Sequence, residues 1–198
     1  ASANIPAICV VTGPMMTGRY QGERLGACTD CRRLWGSYRA GELNDSDMDE
    51  ITGRLAPTIG TCMVMGTAST MACMSEALGM MIPGGATIPA VNADRLRIAE
   101  KSGARAVELV SSGPKPSEIM TTAAFRNALV TLQAIGGSTN GLIHITAVAR
   151  RLGIKIDLDE FDRIGREVPV LIVLKPSGEH YMENLNELGG LNAVLREL

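Results

Sequence analysis

Ile5-Pro-Ala-Ile-Cys-Val-Val-Thr12 is a continuous apolar run rich in β-branched residues. Such a run, without polar alternation, fits a strand buried on both faces, the pattern of a parallel sheet covered by helices. Val168-Pro-Val-Leu-Ile-Val-Leu174 has the same character. The segments between them carry helical spacing, so the alternation predicts an α/β fold, helix-rich, with a largely parallel sheet flanked by helices. The expected organisation is a single α/β domain over residues 1–198, long enough to bury one sizeable core.

Outward from the first run, Gly13 to Gly26 reads as a long glycine-punctuated loop. Thr29 or Asp30 can cap a helix that runs to Ala40, and Asn44 opens another that Pro57 closes. Thr58 to Gly66 is a loop before a helix over Thr67–Leu78, with Met71, Met74 and Leu78 on one face. Asn92 caps a helix to Ser102, and Ala106–Val110 reads as a short strand. Pro116 begins a helix that breaks near Thr121, and Ala123–Ile135 forms the next. Gly136-Gly-Ser-Thr-Asn140 leads into a helix to Leu152, where Ile143 and Ala147 make the second side apolar too. That predicts deep burial. Asp157 starts a short helix, and Asn192–Leu198 forms a last turn or two.

Composition removes several function classes. The net charge is −2, so no basic excess exists to grip nucleic acid, and the six aromatic residues make no stacking platform. No apolar run approaches the roughly 18 residues that span a bilayer, and no signal peptide is visible at the start. The five cysteines are an odd number in a chain far from disulfide-dense, which predicts a reduced, cytoplasmic setting. The chain opens directly into apolar sequence without an initiator methionine, as a piece of something longer would. Six of the eleven methionines crowd into Met63–Met81, where they read as core or interface packing. The surfaces that would face missing parts make Met63, Met65, Met80 and Met81 candidates for exposure.

Three groups of residues could carry chemistry. Cys28-Thr-Asp-Cys31 is a CxxC without a second pair or suitably spaced histidines for zinc. It reads either as a helix start with two small thiols or as a thioredoxin-like pair. Cys62 sits in a loop just before the helix at Thr67, where the helix dipole favours thiolate, the form that binds iron. The alternative is a small apolar residue in a tight loop. Gly136-Gly-Ser-Thr-Asn140 can cradle an anion at a helix N-terminus, or simply cap that helix through Ser138. His144 reads as a core polar group, and His180 as exposed on a turn.

The segment Gly60-Thr-Cys-Met-Val-Met-Gly-Thr-Ala-Ser-Thr-Met-Ala-Cys-Met-Ser-Glu-Ala-Leu-Gly79 resembles the iron–sulfur dehydratase family that contains dihydroxy-acid dehydratase and phosphogluconate dehydratase. Agreement extends to Ile5–Ile8, Gly136–Asn140, Asp159–Arg163, Leu174–Gly178 and Met182-Glu183, in order along nearly the whole chain. Met63, Val64 and Gly66, with Thr29-Asp-Cys-Arg-Arg-Leu-Trp35 and Tyr38–Glu42, resemble the arabinonate- and xylonate-type branch. The branched-chain amino-acid enzyme is the alternative.

The resemblance implies a hydro-lyase that removes water from a 2,3-dihydroxy sugar acid to give a 2-keto-3-deoxy acid. It implies a [2Fe–2S] or [4Fe–4S] cluster and Mg²⁺ as cofactors, and a homodimer or homotetramer of the full-length protein, without nucleic-acid or membrane partners. It maps Cys62 onto one of three cluster cysteines and assigns the chain to the later part of the N-terminal, cluster-binding domain. The other two cysteines, one in a Cys-Asp-Lys motif that helps hold magnesium, would lie upstream, and a catalytic serine would lie in a C-terminal domain. No catalytic base is therefore expected within this sequence. Thr67, Ser138 and Thr139 are expected as substrate-binding residues at the two helix starts. Readings of another class are a CxxC redox protein and a non-catalytic relative of the family.

Overall fold

The computed structural model describes residues 1–198, apart from the side chain of Ala27. A short antiparallel hairpin, β1 (Gly18–Tyr20) and β2 (Glu23–Leu25), precedes the helices α1 (Ala27–Arg39) and α2 (Asp45–Leu55). Then follow α3 (Thr67–Ala77), α4 (Ala93–Ser112), α5 (Pro116–Ile119), α6 (Thr122–Ala134) and α7 (Thr139–Arg151). The chain finishes with α8 (Leu158–Glu167), α9 (Met182–Glu187) and α10 (Gly190–Glu197).

Local chemistry sets most of these starts. The Asn44 side chain accepts the Asp47 N–H and the Asp47 side chain accepts the Asn44 N–H, a capping box that begins α2. Asn92, Thr121, Ser138 and Asp157 each accept a backbone N–H two or three residues on, and so begin α4, α6, α7 and α8.

The main core lies where α3 packs against both α6 and α7. Met74, Phe125, Leu132, Ile145 and Ala149 meet there, all fully or nearly fully buried. Gly137 and Gly141 allow the approach. A Cβ at Gly137 would lie 2.5 Å from Leu132 Cδ1, and one at Gly141 would lie 2.8 Å from Thr70 Cγ2. A second cluster joins the hairpin to α1 and α2 through Tyr20, Leu25, Leu34, Met48 and Ile51. A third, smaller one holds Met63, Val64 and Tyr181, with Met15 and Cys62 packed at its edge.

The largely parallel sheet is not what the chain forms. Among the described residues the only named sheet is the antiparallel hairpin; of the two isolated parallel bridges, Leu174 to His180 involves the second apolar run and Pro14 to Thr61 lies just after the first. Neither run is enclosed. Ile5 and Val10 are exposed, as are Val170 and Val173. Ala106–Val110 continues α4 rather than forming a strand, because Ala, Glu and Leu propagate a helix already nucleated at Asn92.

The α7 helix is amphipathic rather than buried all round. Ile145 and Ala149 face the core, whereas Ile143 is 65% exposed and His144 and Ala147 also face out, so His144 is no core histidine. Met63, Met65, Met80 and Met81 are buried, so the methionines fill the core and are not presented at a surface.

This packing predicts a contrast in stability. Met74→Ala should cost about 3 kcal/mol, because a filled site between α3, α6 and α7 becomes a cavity. Ile143→Ala should cost less than about 0.5 kcal/mol. Urea denaturation midpoints of the two variants check this, and equal losses would contradict the exposed face of α7.

Candidate functional site

The Cys62 loop is built by backbone hydrogen bonds on both sides. Thr61 N–H donates to Gly13 O at 2.8 Å, and Met15 N–H donates back to Thr61 O at 2.8 Å. Met182 N–H donates to Met63 O at 2.9 Å, and Met65 N–H donates to Lys175 O at 2.9 Å. At roughly 1 kcal/mol net for each bond, these four fix the loop by about 4 kcal/mol. Gly60 makes the entry possible. Its φ is +132°, and a Cβ there would sit 2.4 Å from the Met15 nitrogen. The Ser69 hydroxyl in the first turn of α3 donates to Cys62 O at 3.2 Å, which couples the loop to the helix.

The Cys62 thiol is half-buried, with the Val64 and Met63 backbone N–H groups and the Cys28 thiol nearby. Burial pushes the thiol up and Cys28 adds to that, and the two N–H groups only partly offset them. The expected lowering by the α3 dipole is therefore outweighed. Cys73 differs in kind. It is fully buried in the main core, and burial followed by Glu76 pushes its thiol up to about 12. Cys73 is inert packing, whereas the Cys62 sulfur is only half-buried.

Of the expected substrate-binding residues, Thr67, Ser138 and Thr139 lie at two helix starts that touch. Asn140 Nδ2 donates to Thr67 Oγ1 at 2.7 Å, and Ser138 N–H donates to the buried Thr70 Oγ1 at 3.0 Å. Ser138 Oγ caps α7 through the Asn140 N–H, so its own proton stays available. Gly66 caps α3 without a side-chain acceptor, which leaves the first-turn N–H groups of α3 open to an anion. Ser138 and Thr139 also line a cavity of about 230 Å³ with Gly136, Phe161 and Val170, and the Cys62 loop takes no part in its walls.

Beside this loop stands a buried ionic cluster that the sequence did not reveal. Lys175 Nζ lies 3.0 Å and 3.1 Å from the two carboxylate oxygens of Asp30, with both side chains largely buried. Gly26 N–H donates to Asp30 Oδ2 at 2.5 Å, and the Tyr181 hydroxyl lies 3.2 Å from the same oxygen. Arg24 packs over the Tyr181 ring, 4.6 Å from its centroid, and pairs with Glu183. Glu183 in turn accepts from the Thr17 hydroxyl at 2.9 Å. The only hints in the sequence are Asp30 between two cysteines and Lys175 in Leu174–Gly178. Nothing local says that residues 145 positions apart meet.

Burial pushes the Asp30 carboxyl up, but the Gly26 N–H, Lys175 and Tyr181 outweigh it and hold the group below the usual carboxylate range. A depressed folded-state value contributes stability at neutral pH that is lost as pH falls through it. Lys175→Met should therefore cost about 3 kcal/mol at pH 7, because Asp30 is left buried without its cation. The deficit should shrink as pH falls into the acid range, because Asp30 takes up a proton in the variant before it does in the wild type. Denaturation midpoints of both proteins across that range measure this, and a deficit independent of pH would contradict the ion-pair account.

The whole chain, residues 1–198, matches the family model described as dihydroxy-acid/6-phosphogluconate dehydratase N-terminal. Among similar curated proteins, the dihydroxy-acid dehydratase of Endomicrobium trichonymphae is 44% identical over 98% of this chain. That of Thermodesulfovibrio yellowstonii is 43% identical over 100% of it, and that of Methanococcus maripaludis is 43% identical over 98%. The chain spans 36% of the length of each of these relatives. The resemblance carried by Gly60–Gly79 and the motifs that follow is thereby confirmed, and the chain belongs to the dihydroxy-acid/6-phosphogluconate dehydratase family, matching its N-terminal region.

Proposed function

We propose that this chain is part of a hydro-lyase that removes water from a 2,3-dihydroxy carboxylate to leave a 2-keto acid, with Cys62 as one thiolate ligand of an iron–sulfur cluster. The observation that carries the reading is the Cys62 loop itself. It presents a soft sulfur, half-buried and fixed on both sides, directly before the open start of α3.

The residues fit one corner of a cluster and no more. Among the described residues, no group of three or more His, Cys, Asp or Glu comes together to hold a metal ion. These residues therefore provide no magnesium site, and no step is assigned to that ion. A cluster bound through Cys62 would supply a Lewis-acidic iron that helps hydroxide leave.

The chain's own contribution is orientation. The substrate carboxylate would face the first-turn N–H groups of α3, where the dipole favours an anion. Thr67, fixed by Asn140, and Ser138, with a free hydroxyl proton, would orient the neighbouring hydroxyl groups, and Thr139 would extend that edge. The half-buried Cys62 sulfur would limit access of water to a bound metal.

Within the family, the names of the relatives favour a branched 2,3-dihydroxy acid over a sugar acid. Met63 and Val64, which suggested the arabinonate and xylonate type, are buried against Tyr181 and pack the loop rather than face a substrate.

In the full-length protein, Cys62→Ser should lose iron, labile sulfide and activity together, because a hard hydroxyl replaces a soft thiolate. Cys28→Ser and Cys31→Ser should keep their iron. The wild type should turn over 2,3-dihydroxyisovalerate with a higher kcat/KM than arabinonate or xylonate. A Cys62→Ser protein with a full complement of iron would overturn the ligand assignment, and a preference for arabinonate or xylonate would overturn the substrate class.

A further inference from the structure

The longest helix is also the least covered. α4 has 20 residues, about 30 Å of helix, and of these Arg95, Ser102 and Leu109 are buried, one every second turn. Leu96, Ala99, Gly103, Ala106 and Val110 follow one another at alternating steps of three and four, so they form one line along α4, with Val107 beside it. All six are exposed, and the large ones, Leu96, Val107 and Val110, are 75%, 71% and 85% exposed. Gly103, at the centre of the line, has open space where a Cβ would lie, and its φ is not positive. Neither the backbone nor a neighbour in this chain calls for glycine there, although glycine weakens a helix interior.

We propose that this line docks a second copy of the protein, α4 against α4, antiparallel about a two-fold axis at Gly103. Apolar residues that recur every 3.5 positions on average are covered by a helix with the same repeat, and a two-fold supplies one, because the same patch then serves both copies. Ala99, Gly103 and Ala106 let the two backbones approach at the centre. Leu96 of one copy then packs beside Val110 of the other. Charge sets the direction. Arg97 and Glu108 lie on the same flank of the line, six residues before Gly103 and five after it. The antiparallel two-fold therefore brings Arg97 of one copy beside Glu108 of the other, at both ends of the contact. Arg97 already pairs with Asp94 at 2.5 Å, and Glu108 with Arg105 at 2.8 Å. Across the axis these become a row of four charges that alternate in sign. A parallel pair would put the two flanks on opposite edges and join no charges, and it would align the helix dipoles unfavourably.

The experiment uses the full-length protein, in which α4 is present with everything else that could cover it. Gly103→Cys, treated with a short bis-maleimide, should give a peptide joined to its own copy through position 103. Lys101→Cys, exposed on the face turned away from the line, should give no such product. In the double variant Leu96→Cys, Val110→Cys the linked peptides should join position 96 to position 110. The two positions are about 21 Å apart within one helix, so that link can only come from two copies. The double variant Leu96→Glu, Val110→Glu should sediment at half the mass of the wild type. The cross-links do not depend on whether this last variant folds. No link through position 103 beyond the Lys101→Cys control overturns the docking, and so does a folded glutamate variant of unchanged mass. Links of 96 to 96 and 110 to 110 overturn the antiparallel arrangement.

Discussion

Lys175 ties the candidate site together by using its two ends differently. The ammonium satisfies the buried carboxylate of Asp30 in the first turn of α1, while the carbonyl accepts the Met65 N–H of the Cys62 loop. A buried charge without its counter-charge is costly, so the position of α1 is set by where Lys175 lies. Tyr181 reinforces the joint, since its hydroxyl reaches Asp30 and its ring packs on Met63 and Val64 beneath the loop. The location of the Cys62 sulfur therefore depends on residues more than a hundred positions away in sequence.

The same arrangement separates the roles of the cysteines. Cys73 is sealed in the main core, Cys31 packs against the cluster of the hairpin, α1 and α2, and Cys62 is left half-buried in the loop before α3. Below them, the close glycine-mediated contact of α7 with α3 brings two helix starts together at Thr67 and Asn140. One end of the molecule thus offers a soft sulfur next to open backbone N–H groups, a combination suited to a metal ligand beside an anionic substrate.

The helices were legible in the sequence because their signals are local. Asn44, Asn92, Ser138 and Asp157 cap where their residue types predict, and α3 begins at Thr67 as its loop and spacing suggest. The sheet was not legible, because β-pairing is non-local. Ile5–Val11 and Val168–Leu174 have the composition of enclosed strands, yet only Leu174 of the second run makes a bridge. Ile143 misled for a related reason, since periodicity gives the faces of α7 but not which neighbours exist to cover them. Cys62 and the Ser138 cap could be named from sequence, whereas the contact of Asp30 with Lys175 exists only in the folded chain.

The central claim is that Cys62 donates its sulfur to iron. It is tested most directly by replacing Cys62 with selenocysteine in the full-length, iron-loaded protein and recording selenium K-edge extended fine structure. The account predicts a selenium–iron scattering path beside the selenium–carbon path of the side chain. A selenium that sees only carbon, in a sample holding its full iron and sulfide, would contradict it.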